Sequence, residues 1–140
     1  MLRSRITGAV AGAAVLASLV HAVPAAEAKK PRYPWGTVTS ANHVLKRGCH
    51  DYTLQYKVNA PTNEWAAEII VINPNGRRLA SYAIDKDSDP AVGRLTLDLC
   101  RASTVYGKHR LEMKVTWQRG RELRDGWVKA TFFRFTRSSG

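Results

Sequence analysis

Cysteine is scarce in this chain, with two residues, Cys49 and Cys100, among 140. Two isolated thiols do not make a structural zinc site, and neither has the CxxC spacing of a redox centre. Carboxylates are also thin, at 11 Asp and Glu against 22 Lys and Arg. Glu64, Glu68 and Glu112 show no spacing that establishes the paired carboxylates of a glycosidase. The chain has no Gly–x–Ser–x–Gly elbow for a nucleophilic serine and no Asn–x–Ser/Thr acceptor for N-glycosylation. No apolar run after the first segment is long enough to span a bilayer, and no segment after residue 26 carries a persuasive helical period. These absences leave catalysis without a candidate residue, and no cofactor or metal is expected.

What the chain does have begins with an address. Arg3 and Arg5 precede an apolar, small-residue run from Ile6 to Val20, followed by alanine-rich residues around Ala25, Ala26 and Ala28. That order is the pattern of a secretory signal peptide, assigned to residues 1–26. Removing it leaves 20 basic against 11 acidic residues, a net charge of +9. Residues 27–34 then read as a flexible basic lead and 137–140 as a tail, with one domain over 35–136. In an oxidising compartment the simplest state of Cys49 and Cys100 is an intramolecular disulfide, worth about 4 kcal/mol in the chain-entropy model.

The domain is organised around Trp65–Ile84. The β-branched run Ile69–Ile72 predicts a buried strand, Pro74–Asn75–Gly76 a turn, and Leu79–Ile84 a return strand. Around this hairpin, Tyr52–Val58 alternates Tyr52, Leu54, Tyr56 and Val58 against polar partners. Leu95, Leu97 and Leu99 repeat the pattern, and His109–Trp117 gives it most clearly. Trp35–Ser40 reads as an edge strand, after which Val44 and Leu45 return to the core, and Trp127–Phe135 as a single last strand. In that last strand Trp127 shares a face with Phe133 and Phe135. Asp85, Asp87 and Asp89 read as a solvated acidic turn, since an EF-hand loop lacks its glycine and glutamate here.

The reading is all-β: a small antiparallel β-sandwich of about seven strands with one disulfide. The strand spacing and bridge resemble secreted immunoglobulin-like or fibronectin-like β-sandwich domains over most of 35–136. In the immunoglobulin pattern a disulfide joins the two sheets beside a buried Trp, and a Tyr lies two residues before the second cysteine. Here Trp65 follows Cys49 by 16 residues, and Asp98 stands at the tyrosine position. The resemblance implies a fold but no ligand.

Function is read from surface chemistry. A strongly basic domain favours an anionic partner such as a cell surface, a polysaccharide or an acidic protein, and basicity alone supplies no base-reading element for specific nucleic-acid recognition. The candidate anion-binding residues are Arg119, Arg121 and Arg124, in a polar loop spanning 118–126, with Lys129 and Arg134 on the strand that follows. Trp35, Trp117 and Trp127 are the candidate ligand-stacking rings. The expectation is a secreted, non-catalytic binding or accessory domain, with a secreted antagonist, such as an enzyme inhibitor or toxin-like effector, as the alternative.

Overall fold

The computed structural model describes residues 30–139. The signal-peptide assignment at 1–26 and residues 27–29 of the lead lie outside the described residues.

Among the described residues nine strands follow in chain order: β1 (Gly36–Thr39), β2 (His43–Val44), β3 (Cys49–Val58), β4 (Glu64–Ile72), β5 (Arg78–Asp85), β6 (Val92–Cys100), β7 (Gly107–Arg119), β8 (Glu122–Trp127) and β9 (Thr131–Thr136). A single 3-10 turn, Arg101–Ser103, links β6 to β7. Three strands form one sheet in the order β1-β3-β6. The second sheet runs β2-β9-β7-β4-β5, with β8 also paired to β7. The two sheets curl into a sandwich-like arrangement whose interior is filled by the alternating residues. From β3 come Tyr52, Leu54, Tyr56 and Val58, from β6 Leu97 and Leu99, and from β7 Leu111, Met113 and Val115. Burial of such side chains, at about 25 cal/mol per Å² of apolar surface, drives the two faces together.

The β4–β5 hairpin forms as its sequence requires, with β5 at the edge of its sheet. Ile69 and Val71 are fully buried, and Asn73 closes the turn by accepting the backbone N–H of Asn75 and of Arg77 on its Oδ1. Gly76 takes φ +79°, the left-handed conformation that glycine adopts without a Cβ penalty.

Three expectations are corrected. The fold is not wholly antiparallel, because β2 pairs parallel with β9, His43 opposite Phe135. Val44 consequently faces out at 42% exposure, while Leu45 alone enters the core. The 127–135 segment is not one strand. Lys114 pairs with Trp127, but Leu111 pairs with Thr131, so residues 128–130 hold one more residue than the facing stretch of β7. That jog shifts the alternation by one: Val128 points inward before it, and Phe133 and Phe135 point inward after it. Trp127 therefore faces away from the Phe133 side.

Cys49 and Cys100 are bonded as expected, and they are directly opposed neighbours on β3 and β6 of the same sheet. The bond does not join the two sheets, as it does in the immunoglobulin pattern. Trp65 is half-buried and pairs with Trp117, at the end of the molecule away from the bridge.

The lead is docked over residues 30–34. Tyr33 donates its backbone N–H to the Trp127 carbonyl at 2.8 Å, and Arg32 reaches the Val128 carbonyl at 3.0 Å and the buried Glu112 at 3.7 Å. Gly126 makes this approach feasible, since a Cβ there would lie 2.4 Å from the Tyr33 ring and 2.7 Å from that of Trp35.

Candidate functional site

The five expected anion-binding residues do not form one patch. Gln118 and Arg119 belong to β7 and Glu122–Trp127 to β8, so the expected loop shrinks to a tight turn at Gly120 and Arg121. Gly120, at φ +58°, closes it. Arg119 and Arg121 are exposed there, and Arg124 is tied to Glu122. Arg134 instead pairs across the sheet with Lys108, eleven residues back along β7 from Arg119, which is about 36 Å at the usual rise per residue. Lys129 is exposed at the jog between them.

The three tryptophans also separate. Trp117 is only 6% exposed and meets Trp35 edge-on at 5.7 Å, so it lacks the free face that sugar stacking needs. Trp35 is half-buried and carries Tyr33 stacked on it at 4.3 Å. Trp127 is half-buried, and the Lys30 ammonium lies 4.4 Å from its ring centroid. The acidic turn is used internally: the Asp85 Oδ1 accepts the backbone N–H groups of Asp87 and Ser88, and Asp89 accepts that of Asp85. Among the described residues no group of three or more His, Cys, Asp or Glu is placed to hold a metal ion. His43 and His109 lie in an aromatic cluster with Tyr52, Phe133 and Phe135, and burial holds both imidazoles below their ordinary pKa.

Register brings a different set of cations together. β3 begins, β6 ends, β7 begins and β9 ends at the disulfide, and the β4–β5 turn is at the same end because Ile72 pairs with Arg110. Four segments meet there: 45–48, 73–77, 101–106 and 137–139. Each supplies at least one cation, namely Lys46 and Arg47, Arg77, Arg101, and Arg137, and none contains a carboxylate. The opposite end collects Glu64, Asp85, Asp87, Asp89, Glu122 and Asp125. Both ends are mixed in charge, since Asp51 and Asp98 pair two residues from the bridge and Arg119, Arg121 and Arg124 lie at the far end, but the four segments that meet at the bridge carry cations alone.

Within the cationic end, Lys46, Arg47, Arg101, Tyr106 and Arg137 line an open cavity of about 660 Å³. Among the described residues none of these four cations makes an ion pair. The backbones of Lys46, Arg47 and Arg101 are nonetheless fixed. Lys46 donates its backbone N–H to the Tyr52 hydroxyl at 3.1 Å, the Arg47 carbonyl meets His50 Nε2 at 2.7 Å, and Arg101 donates to the Gly48 carbonyl at 2.8 Å. The Arg101 guanidinium is held by the Tyr106 hydroxyl at 2.9 Å and the Thr104 carbonyl at 3.1 Å, with its carbon 4.2 Å from the Tyr106 ring centroid. Arg137 lies 5.0 Å from the same centroid. Such an arrangement offers positive charge and N–H donors to an anionic group with part of the ordering cost already met.

Sequence reading missed this pocket because its residues come from three distant segments. One signal was present: Arg47 precedes Cys49 by two residues and Arg101 follows Cys100, so the bridge itself implies their proximity. Comparison of the chain with protein families, with curated proteins and with solved structures gives no match.

Proposed function

We propose that this chain is a secreted, non-catalytic binding module that docks an anionic ligand on its disulfide end. The observation that carries the reading is the pocket around Tyr106, where four cations converge with no carboxylate in its lining. A solvated basic surface usually intersperses acids, which shorten the reach of the positive field. Here the four converging cations have no carboxylate among them, and the nearest acids on the bridged strands, Asp51 and Asp98, lie outside the lining, so the positive field is concentrated at the pocket. The basic and apolar order of residues 1–26 supports export, and the disulfide accords with an oxidising destination.

The reading is tested by retention of the protein (residues 27–140) on a sulfated polymer across a salt series. Retention should weaken steeply as salt rises, because released counterions accompany each contact. Changing Lys46, Arg47, Arg101 and Arg137 to alanine should lower affinity at least about tenfold, the equivalent of about 1.4 kcal/mol. Equal retention of the variant would remove the pocket from the account.

A further inference from the structure

The jog at 128–130 has an effect beyond the core. In an uninterrupted strand Trp127 and Phe132, an odd and an even position, face opposite sides. The extra residue puts both on the outer side of the second sheet, with Lys129 exposed between them and Arg134 beyond. The result is a line in which aromatic and cationic residues alternate: Trp127, Lys129, Phe132, Arg134. β7 adds a cation opposite three members of it, Lys114 to Trp127, Arg110 to Phe132 and Lys108 to Arg134.

Lys108, Lys129 and Arg134 make no ion pair among the described residues, whereas Lys114 is paired with Asp125 and Arg110 with Glu112. Phe132 is 52% exposed, unusual for its type, and the Lys108 ammonium lies 4.2 Å from its ring centroid. Trp127 holds Lys30 in the same manner. The two rings thus order ammonium groups over their faces, which favours fixed charge over the bare faces that nucleobase stacking requires. Beyond Arg134 the line reaches Arg137, which lines the Tyr106 pocket.

We infer that this line is a track for a linear acidic polysaccharide, one end of which enters the Tyr106 pocket. The inference rests on the anion-binding reading above and extends it from a single pocket to a polymer. Charge complementarity selects the occupant: Arg134 and Lys108 stand opposite each other and Lys129 lies about 13 Å back along the strand once the extra residue of the jog is discounted, so unpaired cations are offered in series rather than as one focus. The track from Trp127 to Arg134 faces Lys114 to Lys108 on β7 and spans about 20 Å, longer than one anionic group can occupy.

The test is a size ladder of sulfated oligosaccharides, from disaccharide to dodecasaccharide, titrated against the protein and against a Lys108→Ala/Lys129→Ala/Arg134→Ala variant. All three side chains are exposed, and near-ultraviolet circular dichroism checks that the variant keeps its packing. Wild-type affinity should rise with length well beyond the disaccharide. The variant should bind the disaccharide as wild type does yet lose at least about tenfold on the dodecasaccharide, about 1.4 kcal/mol. Phe132→Ala, which frees Lys108 from its platform, should shift the long oligosaccharides in the same direction. Length-independent wild-type affinity, or a variant equal to wild type on the dodecasaccharide, would overturn the track while leaving the pocket standing. Failure of wild type to bind any member, the disaccharide included, would instead overturn the anion-binding reading and the track with it. Tighter binding of a single-stranded oligonucleotide of matched charge would assign the line to nucleic acid and contradict the proposal.

Discussion

Cys49 and Cys100 face each other across β3 and β6 with their Cα atoms 3.9 Å apart, and the chain leaves both strands at that point through Arg47 and Arg101. The bridge therefore both staples one sheet and holds two of the four cations of the Tyr106 pocket at a common rim.

Replacing both cysteines with alanine should act on both roles. Opening a link between residues 51 apart should lower the free energy of unfolding by about 4 kcal/mol. Affinity for a sulfated polymer should fall as well, because Arg47 and Arg101 lose their tether. Urea denaturation and binding at matched salt check the two effects, and unchanged affinity in a folded double variant would separate the bridge from the site.

Gly126→Ala should dislodge the segment before β1. The new methyl group would occupy space held by the rings of Tyr33 and Trp35, which are stacked on each other and would have to shift together. Overpacking of this kind costs about 1–3 kcal/mol. The expected outcome is a lowered melting temperature together with altered tryptophan fluorescence, since Trp35 packs on Trp117. A variant with wild-type stability and emission would contradict this account of the docked lead.

Stability should fall on the acid side. His109 is fully buried, is stacked with Phe133 at 5.3 Å and among the described residues has no partner for Nε2, and His43 lies between Tyr52 and Phe135. Burial lowers the folded-state pKa of both from 6.5. The unfolded chain takes up protons at about pH 6.5, whereas the folded chain resists protonation until lower pH. Below about pH 6.5 the unfolded state thus binds more protons, and the stability present above that pH is lost as pH falls toward the folded-state values. Chemical denaturation at a series of pH values should show this slope, and a His43→Gln/His109→Gln variant should flatten it. An unchanged slope in the variant would place its origin elsewhere.

How much of this was legible in the sequence depends on which residues carry a period. Tyr52–Val58 and Leu97–Leu99 bury alternate positions, as does Leu111–Trp117 apart from the buried Glu112, so hydrophobic patterning alone places β3, β6 and β7. β2 was not legible, because two residues joined in parallel to β9 leave no periodic trace. The jog at 128–130 was hidden by a segment that is apolar on both faces, where a one-residue shift does not disturb the visible pattern. For the site the failure was one of distance: clustering along the chain drew attention to Arg119, Arg121 and Arg124, whereas Arg47 and Arg101 meet only through folding. Arg134 and Lys129, named as anion-binding candidates together with the arginine loop, are exposed but stand beside Phe132 and Trp127 rather than at the β7–β8 turn.

The most direct measurement sets the two poles against each other. Isothermal titration with one sulfated oligosaccharide would compare wild type, the Lys46/Arg47/Arg101/Arg137 alanine variant and an Arg119/Arg121/Arg124 alanine variant. The first variant removes four charges and the second three, so a nonspecific attraction would weaken both in about that proportion. The account predicts at least about a tenfold loss, about 1.4 kcal/mol, for the first variant and near wild-type affinity for the second. Equal losses, or a larger loss in the second, would contradict the assignment of anion binding to the disulfide end.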